Sequence, residues 1–186
     1  MRNNVFLIGL MGSGKTTVGR KLSNLLGFEF IDIDQVLIER TGVTISHIFE
    51  VEGEEGFRDR ESRLLKEISA MSNVVVSTGG GIVTRAENCE LMHDNGTLVY
   101  LDVPLRVLWN RLKDCQHRPL LQVENPRDKV VELMQERTPL YLKSADIHLI
   151  VASDSANRTA KKIQQRLKQS QVKKDSDRQD DAERTA

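Results

Sequence analysis

The first part of the chain that could carry out chemistry is the loop at residues 9–17, with the sequence Gly-Leu-Met-Gly-Ser-Gly-Lys-Thr-Thr. It has the spacing G-x-x-x-x-G-K-T of a P-loop, in which backbone N–H groups surround phosphate oxygens. In that motif the lysine, here Lys15, reaches the β- and γ-phosphates, and the hydroxyl of Thr16 is a ligand of Mg²⁺. The sequence therefore predicts binding of a nucleoside triphosphate. The residues predicted to contact it in this loop are Gly12, Ser13, Gly14, Lys15, Thr16 and Thr17.

Two carboxylates, Asp32 and Asp34, follow two residues apart at the end of the apolar stretch 28–33. In an extended chain they point the same way, roughly 7 Å from each other. Carboxylates beside a P-loop suit the holding of Mg²⁺ and the abstraction of a proton. Asp34 also stands where an N-cap is expected for a helix over residues 35–40, and that role does not exclude catalysis.

Three consecutive glycines, Gly79, Gly80 and Gly81, follow the apolar run 74–77 after a single threonine. Bare backbone at this point can present N–H groups to an anion or let a substrate lie against the chain. A flexible turn needs only one glycine, so the triplet favours a binding function.

Residues 50–67 are densely charged, and a helix pattern is predicted to start after Gly56. Arg58 and Glu61 are three positions apart and are therefore neighbours on that helix. The composition by itself favours a solvated charged helix, and it does not separate Arg58 from the other arginines of the segment.

Residues 113–125 lack clear periodicity and are long for a connection in a compact domain. In a kinase-like fold such a segment is often a mobile lid. Arg118 is its candidate for catalysis, because a guanidinium can stabilise the charge on a transferring phosphoryl group.

The elements that must position these residues are apolar runs separated by helix-like stretches. The predicted strands are 5–10, 28–33, 74–77, 98–102 and 147–151. Several are apolar throughout, as parallel strands covered on both faces tend to be. The alternation predicts an α/β fold, a three-layer α/β/α sandwich around a five-stranded parallel sheet. Right-handed crossovers then gather the functional loops at the carboxyl ends of the strands.

The ends of several helices can also be predicted. Gly27 is expected to end the first helix as its C-cap. Pro126 suits the first position of a later helix, which Pro139 should end or kink. A terminal helix is predicted over residues 157–167, and the polar, charge-mixed residues 168–186 are expected to be disordered.

The composition argues against several classes of function. The 186 residues suit one domain, and a formal net charge of +0 with 4% aromatics offers no nucleic-acid-binding face. No apolar run is long enough to cross a membrane, and no signal peptide is expected before the first strand. Cys89 and Cys115 lack a metal-ligand spacing, so free thiols in a reducing cytosol are favoured, with a disulfide as the minority alternative. We therefore expect a cytoplasmic protein, as a monomer.

Taken in order, the motifs resemble those of shikimate kinases over roughly Asn4 to Leu167. The matching segments are Gly-Ser-Gly-Lys-Thr-Thr (12–17), Asp-Ile-Asp (32–34), Gly-Phe-Arg-Asp-Arg-Glu (56–61), Gly-Gly-Gly (79–81), Arg-Pro-Leu-Leu (118–121) and Arg-Thr-Pro-Leu-Tyr (137–141). Only the P-loop is specific by itself, whereas the complete series is highly specific. Thr16 stands where many members have serine, which keeps the hydroxyl.

The resemblance implies an ATP-dependent kinase that phosphorylates the 3-hydroxyl of shikimate, on the route to chorismate and the aromatic amino acids. It implies Mg²⁺ as cofactor and ATP as co-substrate. It further implies a single P-loop kinase domain over residues 1–167, with a substrate-binding region at about 33–61 and the lid at about 113–125.

The resemblance also implies a role for each candidate residue. Asp34 binds the shikimate hydroxyls beside the one that attacks, while Arg58, Arg137 and the backbone of Gly79–Gly81 hold the carboxylate and ring. Arg118 reaches the ATP phosphates from the lid. The catalytic residues are thus Asp34, Lys15 and Arg118.

For the nucleotide and metal, the resemblance implies that Asp32 orients Mg²⁺ through water. Arg111 and the loop around Asp154 match the adenine pocket.

The motifs leave other functions of P-loop proteins to be considered. A gluconate kinase or a nucleoside monophosphate kinase shares the P-loop, and a gluconate kinase also acts on a polyhydroxy acid. A GTPase would need an Asn-Lys-x-Asp string, which the sequence lacks. A non-catalytic ATP-binding module would need neither Asp34 nor a lid arginine.

Overall fold

The computed structural model describes residues 3–113, 119–152 and 154–184, and of residues 171–184 it describes the backbone alone. Within these ranges no helix is both long enough and apolar enough to cross a membrane.

A single parallel sheet forms the centre of the molecule. Its strands are β1 (Asn4–Ile8), β2 (Glu29–Asp32), β3 (Val74–Ser77), β4 (Gly96–Asp102) and β5 (Ile147–Ile150). They pair in the order β2-β3-β1-β4-β5, and every pair is parallel. Every residue of β1 is buried, because β1 is the central strand. The five-stranded parallel sheet predicted from the apolar runs is confirmed.

Helices cover both faces of this sheet and complete the three layers. They are α1 (Lys15–Leu26), α2 (Ile33–Thr41), α3 (Ile45–Ser69), α4 (Ala86–Asn95), α5 (Leu105–Leu112), α6 (Pro126–Ser144) and α7 (Ala156–Arg184). α1 packs against β2, β3 and α7, while α4 and α6 pack against β4. Gly27 ends α1 with φ 69°, as predicted. Cys89 is a free thiol, and Cys115 lies outside the described residues.

The junction between β2 and α2 differs from the prediction. α2 begins at Ile33, so Asp34 lies in its first helical turn and not in extended chain. Asp32 is the N-cap, and its side chain accepts a hydrogen bond from the N–H of Gln35 at 3.3 Å. The N-cap role predicted for Asp34 is therefore wrong. The pairing of β2 with β3 ends at Asp32 and Ser77. The residues after Asp32 therefore have no hydrogen bonds to a neighbouring strand that would keep them extended.

α3 begins at Ile45, earlier than the start predicted after Gly56. The side chain of Thr44 caps it by accepting from the N–H of His47 at 3.2 Å. Gly53 interrupts the helix with φ 72° and ψ −178°, whereas Gly56 stays helical. The sequence predicts the boundary at the wrong one of these two glycines, because composition does not tell which glycine leaves the helical conformation.

α6 does not end at Pro139 but continues to Ser144. Proline lacks an N–H and therefore leaves the carbonyl of Gln135 without its helical donor. The turn after it is nevertheless held in place, because Tyr141 is buried against the rest of the molecule. Tertiary packing thus overrides the local helix-breaking signal.

α7 continues to Arg184, so residues 168–184 of the segment expected to be disordered are helical in the structure. This segment contains neither glycine nor proline, so nothing in it stops a helix that has already begun.

Candidate active site

The P-loop connects β1 to α1, which is the strand–loop–helix setting that this motif requires. Gly12 and Gly14 have φ 77° and 93°, in the left-handed region that residues with a Cβ rarely adopt. Gly14 is the N-cap of α1, and Lys15 is the first helical residue. The first N–H groups of α1 have no partner within the helix, which makes this end of α1 suited to bind an anion.

The side chain of Lys15 folds back over this loop. Its Nζ donates to the carbonyls of Gly9 at 2.7 Å and Leu10 at 3.0 Å, and it lies 3.4 Å from the Ser13 hydroxyl. Lys15 is buried as a result. These contacts keep the ammonium charge in the concave part of the loop, where phosphates are expected.

A hydroxyl and a carboxylate lie together beside the loop. Thr16 Oγ1 donates to Asp32 Oδ2 at 2.7 Å and lies 3.4 Å from Ser77 Oγ. Among the described residues, no group of three or more histidine, cysteine or acidic side chains could hold a metal. The hydroxyl of Thr16 and the carboxylate of Asp32 nevertheless fit Mg²⁺, which is usually bound by one or two protein oxygens together with phosphates and water.

A cavity of about 420 Å³ lies over the P-loop. Residues 11–18 line one side of it, and Asp32 and Asp34 line another. Arg111 from α5 and Asp154, just before α7, also line it. Its position and size suit a nucleotide with its phosphates on the loop.

Arg111 and Asp154 each have protein partners in this cavity. Arg111 Nη1 donates to the carbonyl of Gly12 at 3.0 Å, so this arginine is tied to the P-loop. Asp154 pairs with Lys162, and its Oδ1 lies 3.7 Å from Arg158 Nη1. The structure thus brings both residues to the nucleotide cavity.

A second cavity adjoins the first on the side of α3 and α6. Arg58, Arg137 and the glycines 79–81 line it. Asp34 and Gly80 line both cavities, so Asp34 lies where the two meet. Two ligands bound in these cavities would approach each other at this carboxylate.

Arg58 and Arg137 are both buried, with 5% and 3% of their surface exposed. Arg58 Nη1 donates to Glu61 Oε2 at 2.7 Å, and its Nη2 donates to Glu54 Oε1 at 2.9 Å. The same oxygen of Glu54 lies 3.7 Å from Arg137 Nη2. One carboxylate oxygen therefore lies between the two guanidinium groups.

Burial and charge act on this cluster in opposite directions. Burial lowers the pKa of Arg58, but the carboxylates of Glu61 and Glu54 outweigh it, so that the pKa lies above its ordinary value. Burial raises the pKa of Glu61, although the guanidinium of Arg58 opposes that change. Arg58 thus stays charged, whereas Glu61 takes up a proton more readily than an ordinary glutamate.

The glycine triplet lies directly against this ion pair. A Cβ on Gly79 would lie 1.8 Å from Glu61 Oε1, and a Cβ on Gly81 would lie 2.1 Å from Arg58 Nη2. A Cβ on Gly80 would lie 3.2 Å from the backbone nitrogen of Met11 in the P-loop. The triplet is therefore required by close approach on both sides, and none of the three needs a left-handed φ.

Comparison with known proteins identifies the family. The family model described as shikimate kinase matches residues 11–168. Shikimate kinases of Nitrosomonas europaea and Dechloromonas aromatica are 47% and 49% identical over 167 and 150 residues, which cover 90% and 81% of this chain and 79% and 81% of those proteins. The shikimate kinase from Acinetobacter baumannii, solved in complex with shikimate, superposes with a TM-score of 0.88 at 43% identity, covering 91% of this chain and 95% of that one.

The chain belongs to the shikimate kinase family. It is accordingly an ATP-dependent kinase. The resemblance stated from the motifs is thereby confirmed, together with the P-loop kinase fold.

For this shikimate kinase family member, the structure brings together the predicted residues of the P-loop, both aspartates, Arg58, the glycine triplet and Arg137. Arg118 lies outside the described residues. The residues that follow it, Pro119 and Leu120, line the second cavity.

Sequence reasoning missed the roles of Glu54 and Tyr141, which contact residues of the second cavity, and left Glu61 without a structural role. Glu54 precedes Arg58 by four positions, a helical spacing that could have indicated the ion pair. Glu61 was recognised as a neighbour of Arg58, but not as a fully buried carboxylate. Tyr141, whose hydroxyl donates to the carbonyl of Gly80, has no such signal, because the two are 61 positions apart.

Proposed function

We propose that the protein transfers the γ-phosphate of ATP to the 3-hydroxyl of shikimate, giving 3-phosphoshikimate and ADP, in chorismate and aromatic amino-acid biosynthesis. The observation that carries this proposal is the pair of buried arginines, Arg58 and Arg137, in a cavity that meets the nucleotide cavity at Asp34. The proposal includes a monomer acting in the cytoplasm.

The arginine pair suits the carboxylate of the acceptor. Glu54 Oε1 already lies 2.9 Å from Arg58 Nη2 and 3.7 Å from Arg137 Nη2, so one carboxylate oxygen can be reached from both side chains. Among the described residues, the buried Nε and Nη1 of Arg137 have no hydrogen-bond partner. Buried guanidinium donors need acceptors, and a substrate carboxylate supplies them.

The backbone of Gly79–Gly81 forms the wall against which the ring would lie. Side chains are absent there because Glu61 and Arg58 fill the space behind the wall. A planar or half-chair ring can therefore approach the chain closely, with its carboxylate towards the arginines and its hydroxyls towards Asp34.

Asp34 is assigned as the base that accepts the proton of the attacking hydroxyl. It lies in the first turn of α2 and lines both cavities, so a hydroxyl bound beside it faces the γ-phosphate. Fixing the attacking oxygen in line with the phosphorus is the main contribution that a protein makes to phosphoryl transfer.

The remaining residues bind the nucleotide and neutralise charge. The P-loop N–H groups and Lys15 hold the phosphates, and Thr16 with Asp32 would hold Mg²⁺, Asp32 through water. When bound, Mg²⁺ neutralises phosphate charge. Arg118 acts from the lid on the transferring group, while Arg111 and Asp154 flank the adenine.

A coupled ADP-release assay with ATP and Mg²⁺ tests the proposal. We expect turnover with shikimate, formation of 3-phosphoshikimate, and at most trace turnover with gluconate or nucleoside monophosphates. An Asp34→Asn preparation is the matched control, because it must lose the activity if the protein itself is responsible. Faster turnover of gluconate or of a nucleoside monophosphate than of shikimate would refute the assignment.

A further inference from the structure

An aromatic stack connects the glycine triplet to the edge of the sheet. The ring of Tyr141 on α6 stacks on Tyr100 of β4 with centroids 5.0 Å apart, and Tyr100 stacks on His148 of β5 at 5.2 Å. Tyr141 is 1% exposed. Packing alone explains these rings, but it does not explain the hydroxyl of Tyr141.

That hydroxyl donates a hydrogen bond to the carbonyl of Gly80. Burial raises the pKa of Tyr141 above its ordinary value, so the phenol remains protonated and can act as donor across the whole working pH range. The bond links α6 to the loop after β3 across 61 positions of sequence.

Gly80 lies between the sites proposed for the two substrates. It lines the nucleotide cavity and the second cavity. Its backbone packs against the P-loop, where a Cβ would lie 3.2 Å from the nitrogen of Met11. A displacement of Gly80 would therefore change the wall against which the acceptor lies.

Tyr141 also shares a helix with an arginine of the second cavity. Arg137 precedes it by four positions, so the two side chains lie on the same side of α6. Pro139 lies between them and removes one backbone donor from that turn. The contact of Tyr141 with Gly80 holds this weakened turn against the glycine backbone.

We propose that Tyr141 is a positioning residue for phosphoryl transfer, whose hydroxyl holds Gly80 at a fixed place relative to Arg137 and the P-loop. The proposal rests on the proposed function, because it takes the glycine backbone and Arg137 as the acceptor site. Tyr141 touches neither substrate and acts through Gly80.

Tyr141→Phe tests this role, because it keeps the ring and its stacking and removes the hydroxyl alone. We expect KM for shikimate to rise about ten- to a hundredfold, since small misplacements of a bound substrate have effects of that size. KM for ATP should stay within about twofold, because the P-loop contacts remain.

Tyr100→Phe is the matched control. It removes the hydroxyl of a buried phenol in the same stack, whose hydrogen-bond partners, Asp102 at 3.3 Å and Thr138, lie outside the triplet. We expect its KM for shikimate to match that of the wild type. A wild-type KM in Tyr141→Phe, or an equal rise in both variants, would overturn the proposal.

A second measurement applies if Tyr141→Phe does not fold. The chain has 2 tyrosines, so Tyr141 is the one tyrosine left in Tyr100→Phe. Shikimate would lie against Gly80, whose carbonyl accepts the hydrogen bond of this phenol. Its addition to that variant should therefore change the ultraviolet difference spectrum of the phenol, and an unchanged spectrum at saturating shikimate overturns the proposal. If the wild-type enzyme shows no turnover of shikimate at all, the proposed function fails instead, and the two failures are distinguishable.

Discussion

Arg58 and Glu61 form a buried ion pair that supports the glycine triplet from behind. Nη1 of Arg58 donates to Oε2 of Glu61 at 2.7 Å, and Glu61 has no exposed surface. The space for this pair exists because Gly79 and Gly81 have no side chains. The backbone of the glycine triplet and the charged cluster therefore depend on each other.

The first prediction concerns Gly79→Ala. The new methyl would lie 1.8 Å from Glu61 Oε1, so the ion pair must move. We expect a loss of about 1–3 kcal/mol in the free energy of unfolding, the usual cost of overpacking, and a large fall in kcat/KM for shikimate. Urea unfolding and steady-state kinetics measure the two effects.

Gly42→Ala is the control for this change. Gly42 has φ 71° and no heavy atom near its Cβ position, so alanine there costs backbone strain of about 1–2 kcal/mol without a clash. Its kinetic constants should stay at wild-type values. Wild-type kcat/KM in Gly79→Ala would contradict the steric argument.

The second prediction uses the protonation of Glu61. Because burial raises the pKa of Glu61 in the folded state, the folded protein binds this proton more tightly than the unfolded chain does. The contribution of Glu61 to the free energy of unfolding is therefore fully present below its unfolded pKa, near 4.5, and falls as the pH rises through the folded pKa.

Glu61→Gln removes this titration without changing the shape of the side chain. Urea unfolding over a pH series should show that the stability of wild type minus that of Glu61→Gln decreases from about pH 4.5 upwards. A difference that grows with pH would mean that Arg58 lowers the pKa of Glu61, against the direction given by burial.

The third prediction separates binding from folding at the arginine pair. Arg137→Ala should raise KM for shikimate roughly ten- to a hundredfold, the effect of losing about 1.5–3 kcal/mol from a charge-assisted contact. Arg137→Lys should also be impaired, because an ammonium cannot reproduce the planar fork. The partners of Arg137 are 3.7 Å away, so we expect only a modest drop in Tm.

Arg58→Ala should instead impair both shikimate binding and the stability of the fold. It leaves Glu61 buried without its cation, which typically costs about 3–5 kcal/mol of stability. Arg60→Ala, which removes an exposed arginine paired with Glu52, is the matched control and should affect neither KM nor Tm appreciably. If Arg137→Ala melts far below the wild type while its KM is normal, the role in substrate binding is refuted.

The fourth prediction concerns the lid. Arg118→Ala should lower kcat by about a thousandfold or more, the typical effect of removing an arginine from a phosphoryl-transfer site, with a smaller change in KM for shikimate. Single-turnover kinetics would assign the loss to the chemical step. An unchanged kcat would show that Arg118 does not act on the transition state.

The sequence predicted the parallel sheet and the P-loop because both depend on local information. The runs 5–10 and 74–77 are apolar enough to be buried on both faces, and the glycine spacing of the loop fixes its backbone. The resemblance to shikimate kinases then selected Arg58 and Arg137 from many arginines, which composition could not do.

The errors arose where tertiary contacts decide the local structure. Asp32 caps α2 because the pairing of β2 ends there, and Tyr141 keeps α6 in place beyond Pro139. Glu54 contacts two arginines that come from different helices. Apart from the four-residue spacing between Glu54 and Arg58, these contacts leave no periodic signal in the sequence. The role of Arg118 stays a prediction.

The steric relation between positions 79 and 61 also limits how such a chain can change over generations. Alanine at 79 and glutamate at 61 require the same volume, so alanine can become established only after the side chain at 61 has shortened. Shortening it first leaves Arg58 without its buried counter-charge. Either order of the two substitutions therefore passes through an impaired enzyme. We expect the residues at positions 79 and 61 to co-vary.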